Sequence, residues 1–333
     1  MKSALMKLFN VVLFVLFVLA ANTFAQEVRQ VESIQIDAGD LSVMFCDNSK
    51  SPDELSGIDR LVNVKQSAEY DAFDPTTEGA SAGLNFEHII SGHDSPNNKF
   101  TPRHGPYTLI ALPGGQSVVL RRLASDSPWR VASSLKYTVV APHYIDFEFR
   151  CTPEDASLFG ERGSAIFFFA NYMNDVLDTA LQFRGCRSSD SSEEWISADA
   201  PSGHPDWNRG GNYRALTADE IPYDEDMSFR LNSWTYDWPR ITQPFYYGRA
   251  DHGMTFILMF DRLVTAADQI RFSLYKFKLP KHPRPAWDFQ YVVNRMQSGK
   301  ECGFQGRLVW KKFVSLADCL REYETWSSDS ASD

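Results

Sequence analysis

The chain repeats one pattern from residue 117 to residue 313. A short run rich in Val, Ile, Phe and Tyr is closed by Gly, Pro, Asn, Asp or Ser, and then another run begins. Such runs occupy 117–122, 136–140, 144–150, 165–170, 181–184, 227–233, 254–261, 270–278, 287–295 and 303–313. In 144–150, Ile145, Phe147 and Phe149 alternate with Asp146, Glu148 and Arg150. That period of two belongs to a strand with one buried and one wet face. Many strands without alternating helices exclude a dinucleotide-binding or (β/α)8 architecture. They predict an all-β sandwich of two packed antiparallel sheets.

Helix is expected at one place. Ser315 followed by Asp318 starts an N-cap pattern, and Leu316, Cys319, Leu320 and Tyr323 form an apolar stripe through Trp326. This predicts a short C-terminal helix packed on the sandwich and a disordered polar tail over 327–333. Ser298-Gly299, between two long apolar runs, reads as a hairpin turn. Residues 26–104 mix apolar runs at 31–36 and 41–45 with turn-rich stretches, and read as N-terminal strands and long loops of the same domain. One β-sandwich domain over 26–326 is the expectation.

The first 25 residues have the form of an export signal: Lys2 and Lys7, an apolar run over 8–21, then Thr23-Phe24-Ala25. The run is shorter than a membrane span requires. A secreted or periplasmic protein with no membrane span after cleavage is predicted. Removing Lys2 and Lys7, with no acid, takes the net charge from −10 to −12. That charge argues against a nucleic-acid partner. Five cysteines are too few for a disulfide scaffold and allow at most two bridges. No Cys or His spacing suggests a metal site, and no cofactor motif is present; a structural Ca²⁺ is the one ion left open.

Three constellations carry chemistry. Asp146 and Glu148, two residues apart on one strand, share its polar face, and His143 and Tyr144 stand at the start of that strand. Two carboxyls so placed can divide acid and base work, against the simpler reading of a solvated, ion-paired strand face. The second is 245–253, read as a glycine-flanked loop holding Tyr246, Tyr247, Arg249 and His252. An Arg there can clamp a carboxylate while Tyr or His moves a proton. The third is the stretch 195–247, where Trp195, Trp207, Trp234 and Trp238 are half of the chain's eight tryptophans. Flat rings among amides and carboxylates suit sugars, and Asn171 is placed at the same rim.

On these features the sequence resembles the concanavalin A-like jelly-roll proteins that bacteria export to act on polysaccharides, over roughly 105–313. The carboxylate strand is similar to that of laminarinase-type glycosidases, although Arg150 stands where their third acidic residue would be. The resemblance implies a carbohydrate partner and a glycoside hydrolase, with Glu148 as acid or nucleophile and Asp146 as its partner. The jelly-roll polysaccharide lyases imply an alternative on Tyr, His and Arg: His143, Tyr247, Arg249 and His252. A non-catalytic sugar-binding module is the third reading. The tryptophan-rich loops and 246–252 are expected to converge on one concave face.

Overall fold

In the computed structural model, residues 28–49, 55–73, 83–99, 102–103, 105–199, 209–229, 235–277 and 284–330 are described. The export-type segment, Trp207 and Trp234 lie outside them. In chain order the strands are β1 (Arg29–Val31), β2 (Ser33–Ala38), β3 (Leu41–Cys46), β4 (Gly57–Asn63), β5 (Ser67–Asp71), β6 (Asn85–Ser91), β7 (Thr108–Ala111), β8 (Ser117–Arg122), β9 (Val131–Val140) and β10 (Tyr144–Pro153). There follow β11 (Ala165–Ala170), β12 (Leu181–Cys186), β13 (Glu194–Ala198), β14 (Arg209–Tyr213), β15 (Arg240–Arg249), β16 (Met254–Asp261), β17 (Gln269–Phe277), β18 (Arg284–Val293) and β19 (Cys302–Lys312). One α-helix among the described residues, α1 (Leu316–Ser330), closes the chain.

The strands form a ten-stranded sheet (β1-β7-β8-β9-β10-β19-β16-β15-β12-β13), a five-stranded sheet (β14-β17-β18-β11-β6) and a four-stranded sheet (β2-β3-β4-β5). All paired strands run antiparallel. Strand β10 alternates buried and half-buried residues along its whole length, as its sequence predicts. Its inward Phe149 meets Phe169 of the five-stranded sheet at 5.0 Å between ring centroids, and Phe289 meets Phe304 at 5.6 Å. These edge-to-face rings seal the two large sheets together. Of the N-terminal strands, β1 and β6 extend the two large sheets, while β2–β5 make a sheet of their own. That sheet enters the same core through contacts such as Phe45 on Tyr137, 5.2 Å apart.

Three sequence readings change. Ser298-Gly299 is not a hairpin turn: β18 lies in the five-stranded sheet and β19 in the ten-stranded one, so the segment crosses between layers. Phe245–Arg249 is not loop but the end of β15, paired with β16 from Phe245↔Met259 to Arg249↔Thr255. The helix begins at the predicted cap, where Ser315 Oγ accepts from the Asp318 N–H at 3.1 Å, but it continues to Ser330, so 327–330 are helical. Cys319 and Trp326 pack on Phe245, Tyr247, Ile257, Met259 and Val309, covering part of the outer face of the ten-stranded sheet.

Candidate active site

The first of the three constellations lies on that outer face. A groove of about 350 Å³ is lined by Lys136, Thr138, Asp146, Glu148, Gln305, Arg307 and Trp326. Asp146 is held at two points by Arg307, at 2.5 and 2.9 Å, and Glu148 by Arg150 at 2.6 Å. The carboxylates are 38% and 33% exposed, so this is a solvated face with its charges already matched. Tyr144 lies under the Arg307 guanidinium, 4.6 Å from its ring centre, and donates to Glu322 at 3.1 Å. His143 sits between Asp40 and Glu322, at 3.7 and 3.8 Å.

The second constellation does not assemble. Tyr246 and Tyr247 are successive strand residues and therefore face opposite ways. Tyr246 is a core residue whose hydroxyl donates to the Trp287 carbonyl at 2.8 Å, so it is no sugar platform. Tyr247 packs in an apolar cluster with Trp195, Phe313 and the helix, away from Tyr246 and His252. Arg249 stacks on Phe313, its guanidinium carbon 3.8 Å from the ring centre. His252 instead stacks on Tyr70 at 4.9 Å and meets Glu69 at 3.1 Å, towards the four-stranded sheet. Trp238 carries Arg240 over its ring at 5.1 Å. Asn171 is not a rim residue but fully buried: its amide bonds the Trp287 carbonyl at 2.8 Å and accepts from the Leu84 N–H at 2.7 Å.

Asn171 leads to a site that sequence reasoning missed. Its backbone N–H donates to Asp288 Oδ1 at 2.8 Å, and Asp288 points from β18 to the outer face of the five-stranded sheet. Register places polar side chains in rows across that face. Arg271, Gln290, Phe168 and His88 lie side by side on β17, β18, β11 and β6. Asn212, Ser273 and Asp288 form the next row on β14, β17 and β18. Tyr275, Ala286 and Tyr172 form the one after it. The opposite face of the same strands is the aromatic core of Phe86, Phe167, Phe169, Phe272 and Phe289.

One irregularity completes the cluster. Phe168 pairs with His88 but Phe169 pairs with Phe86, so Glu87 is an extra residue in β6. A bulge of this kind re-aims a side chain. Here Glu87 receives the Tyr172 hydroxyl at 2.5 Å and Arg103 Nη1 at 2.8 Å, and its other oxygen lies 3.8 Å from His88 Nε2. Glu87 and Asp288 are only 2% and 3% exposed. Burial pushes both carboxyls up; Arg103 and the Tyr172 hydroxyl hold Glu87 back. Asp288 stands well above the ordinary carboxylate range because burial, aided by the charge of Glu87, outweighs the Asn171 N–H. Arg271, also buried, bonds Gln269 at 3.0 Å, Thr235 at 2.7 Å and the Asp219 carbonyl at 3.2 Å. Burial lowers its guanidinium to about 10.

Titratable groups with displaced pKa values on a buried polar sheet face mark a candidate site for acid–base chemistry. A signal was present in the sequence: Glu87-His88 interrupts an apolar run, and Asp288 and Gln290 alternate with Trp287, Phe289 and Tyr291. Alternation alone reads those polar residues as facing water.

No known protein family matches the sequence, and no curated protein does. Among solved structures, the chain is similar to a Synechocystis protein at 11% identity, over 87% of this chain and 99% of that one, with a TM-score of 0.49. An aldose 1-epimerase candidate from Escherichia coli is 8% identical over 86% of this chain and all of that one, with a TM-score of 0.48. A heparan sulfate lyase HepC mutant from Pedobacter heparinus is 6% identical over 85% of this chain but 35% of its own, with a TM-score of 0.41. At these identities and scores the likeness assigns the chain neither a family nor an activity.

Proposed function

We propose that the protein is a carbohydrate-active enzyme of the glycoside hydrolase class, working on the outer face of the five-stranded sheet. The observation that carries this reading is the two buried carboxyls, Glu87 held by Arg103 and the Tyr172 hydroxyl and Asp288 by the Asn171 N–H. A hydrolase needs one carboxyl that keeps its proton at neutral pH and one that stays charged. Asp288, raised by burial and bonded to a backbone N–H, is the acid that protonates the leaving oxygen. Glu87, matched by Arg103 and the Tyr172 hydroxyl, is the charged partner, acting as base or nucleophile. Arg271, Gln290 and Asn212 supply fork-shaped and amide groups of the kind that fix sugar hydroxyls. This moves the acid–base roles from Asp146 and Glu148 to a different sheet while keeping the reaction class that the sequence suggested. Export through residues 1–25 belongs to the same proposal. The test is release of reducing ends from a panel of neutral glycans by the wild type and by Asp288→Asn and Glu87→Gln. Activity that survives both substitutions rejects this pair.

A second reading, a polysaccharide lyase, is favoured by one observation: Arg271, Gln290 and His88 lie in a single row, with Tyr172 and Tyr275 two rows away. Arg and Gln can neutralise a uronate carboxylate while His or Tyr removes the neighbouring proton. The net charge of −10 weighs against a polyanionic substrate. Ultraviolet-absorbing chain ends, made from uronate-containing glycans and lost with Arg271→Ala, would establish the lyase and reject the hydrolase.

A further inference from the structure

Cys151 and Cys302 face each other. They are directly opposed in the β10–β19 ladder, the last pair of a register that runs from Tyr144↔Val309. Directly opposed antiparallel residues have Cα atoms about 4.5 or 5.5 Å apart, both inside the range a disulfide spans. Directly opposed residues share a face, and both side chains belong to the same buried core. Neither is in a disulfide in this structure, and Cys46, Cys186 and Cys319 likewise form none. Both members of the pair are buried, 2% and 3% exposed, at the end of the sheet where the 294–301 crossover enters β19. The neighbouring Tyr291 hydroxyl accepts from the Gly303 N–H at 2.9 Å and donates to Asp268, which fixes the backbone of Gly303, the residue after Cys302.

We propose that Cys151 and Cys302 form a cross-strand disulfide when the protein meets a thiol–disulfide couple of oxidising poise, and that the other three cysteines stay reduced. Cys302, beside the crossover, acts as the first nucleophile; the neighbouring Cys151 thiol lowers its own. Its thiolate attacks a small-molecule disulfide such as oxidised glutathione, forming a mixed disulfide and releasing one glutathione thiolate. Cys151, losing its proton to solvent, then attacks the Cys302 sulfur and displaces the second glutathione. The two protein sulfurs are oxidised by two electrons and one glutathione disulfide is reduced to two thiols. The bond closes a loop of about 150 residues, for which chain-entropy reasoning predicts a large effect on the unfolded state. It ties the crossover between the two large sheets to the central strand of the larger one.

The experiment equilibrates the folded full-length protein with oxidised glutathione, quenches it in acid, unfolds it and alkylates free thiols before mass spectrometry. The expected result is three alkylated cysteines and one peptide pair linking Cys151 to Cys302. Five alkylated cysteines, or a bridge using Cys46, Cys186 or Cys319, would overturn the proposal. A thermal scan adds a second reading: reductant should lower the unfolding midpoint of the oxidised protein by roughly 5–10 °C. Cys302→Ser should remove that dependence. An unchanged midpoint on full reduction also counts against the bond. Should Cys302→Ser fail to fold, the peptide map of the wild type decides alone.

Discussion

The outer faces of the two large sheets both carry acidic and basic side chains, yet they treat charge in opposite ways. On the ten-stranded sheet, Asp146 meets Arg307 and Glu148 meets Arg150 in partly exposed pairs beside an open groove. Water and guanidinium groups share the work of stabilising those charges, so little energy is stored in them. On the five-stranded sheet, Glu87, His88, Arg271, Asp288 and Gln290 are each at most 3% exposed. There burial penalises every charge, opposed at Glu87 by Arg103 and the Tyr172 hydroxyl and at Asp288 by the Asn171 N–H. Alternating charge on a strand is cheap to keep; a buried polar face is expensive, and its retention points to chemistry.

The largest effect that tests the contrast is on turnover. Asp288→Asn and Glu87→Gln should each reduce the hydrolytic rate by about 10²–10⁴-fold, while Glu148→Gln changes it by less than about threefold. An inactive Glu148→Gln enzyme beside an active Asp288→Asn one would return the site to the ten-stranded sheet.

Next is the hydroxyl on Glu87. Tyr172→Phe removes a donor to a buried carboxylate and should destabilise the fold by about 1.5–3 kcal/mol, measured by urea unfolding. A change below the error of that titration would mean that Arg103 alone holds Glu87.

Acid and base separate the faces further. At Glu322, burial opposes ionisation, but His143, Lys311 and Tyr144 hold the carboxyl down to about 2. A carboxyl depressed in the folded state stabilises above its unfolded value, and that stability is lost as pH falls from about 4.5 towards 2. The loss should be on the order of 2 kcal/mol after solvent screening, and Glu322→Gln should abolish it. Asp288 has the reverse sign. Its raised carboxyl is stabilising below the ordinary carboxylate value, and the contribution disappears as pH rises through the folded value. Asp288→Asn should flatten that alkaline limb and leave the acid one intact.

The smallest effect is expected at the exposed pair. Asp146→Asn should cost at most about 1 kcal/mol, shrinking with added salt. A larger, salt-insensitive loss would show that the groove depends on Asp146 far more than its exposure allows.

The sequence by itself determined the antiparallel β architecture, the buried face of β10 and the capped terminal helix, because all three are local. A period of two needs only neighbouring residues, and the Ser315 cap needs only the next turn. The tertiary structure decided where the chain changes sheets. The runs on either side of Ser298-Gly299 would look the same in a hairpin or in a crossover. It also decided which polar residues are buried. Asp146 in 144–150 and Asp288 in 284–293 follow the same alternation, with apolar neighbours on both sides. Their environments differ only because other parts of the chain, distant in sequence, cover one face and leave the other to water. Glu87 was further concealed by the bulge, which exists only as a mismatch between β6 and β11. Propensity and periodicity are properties of a segment, whereas burial and register belong to pairs of segments, and the candidate site is made of the second kind.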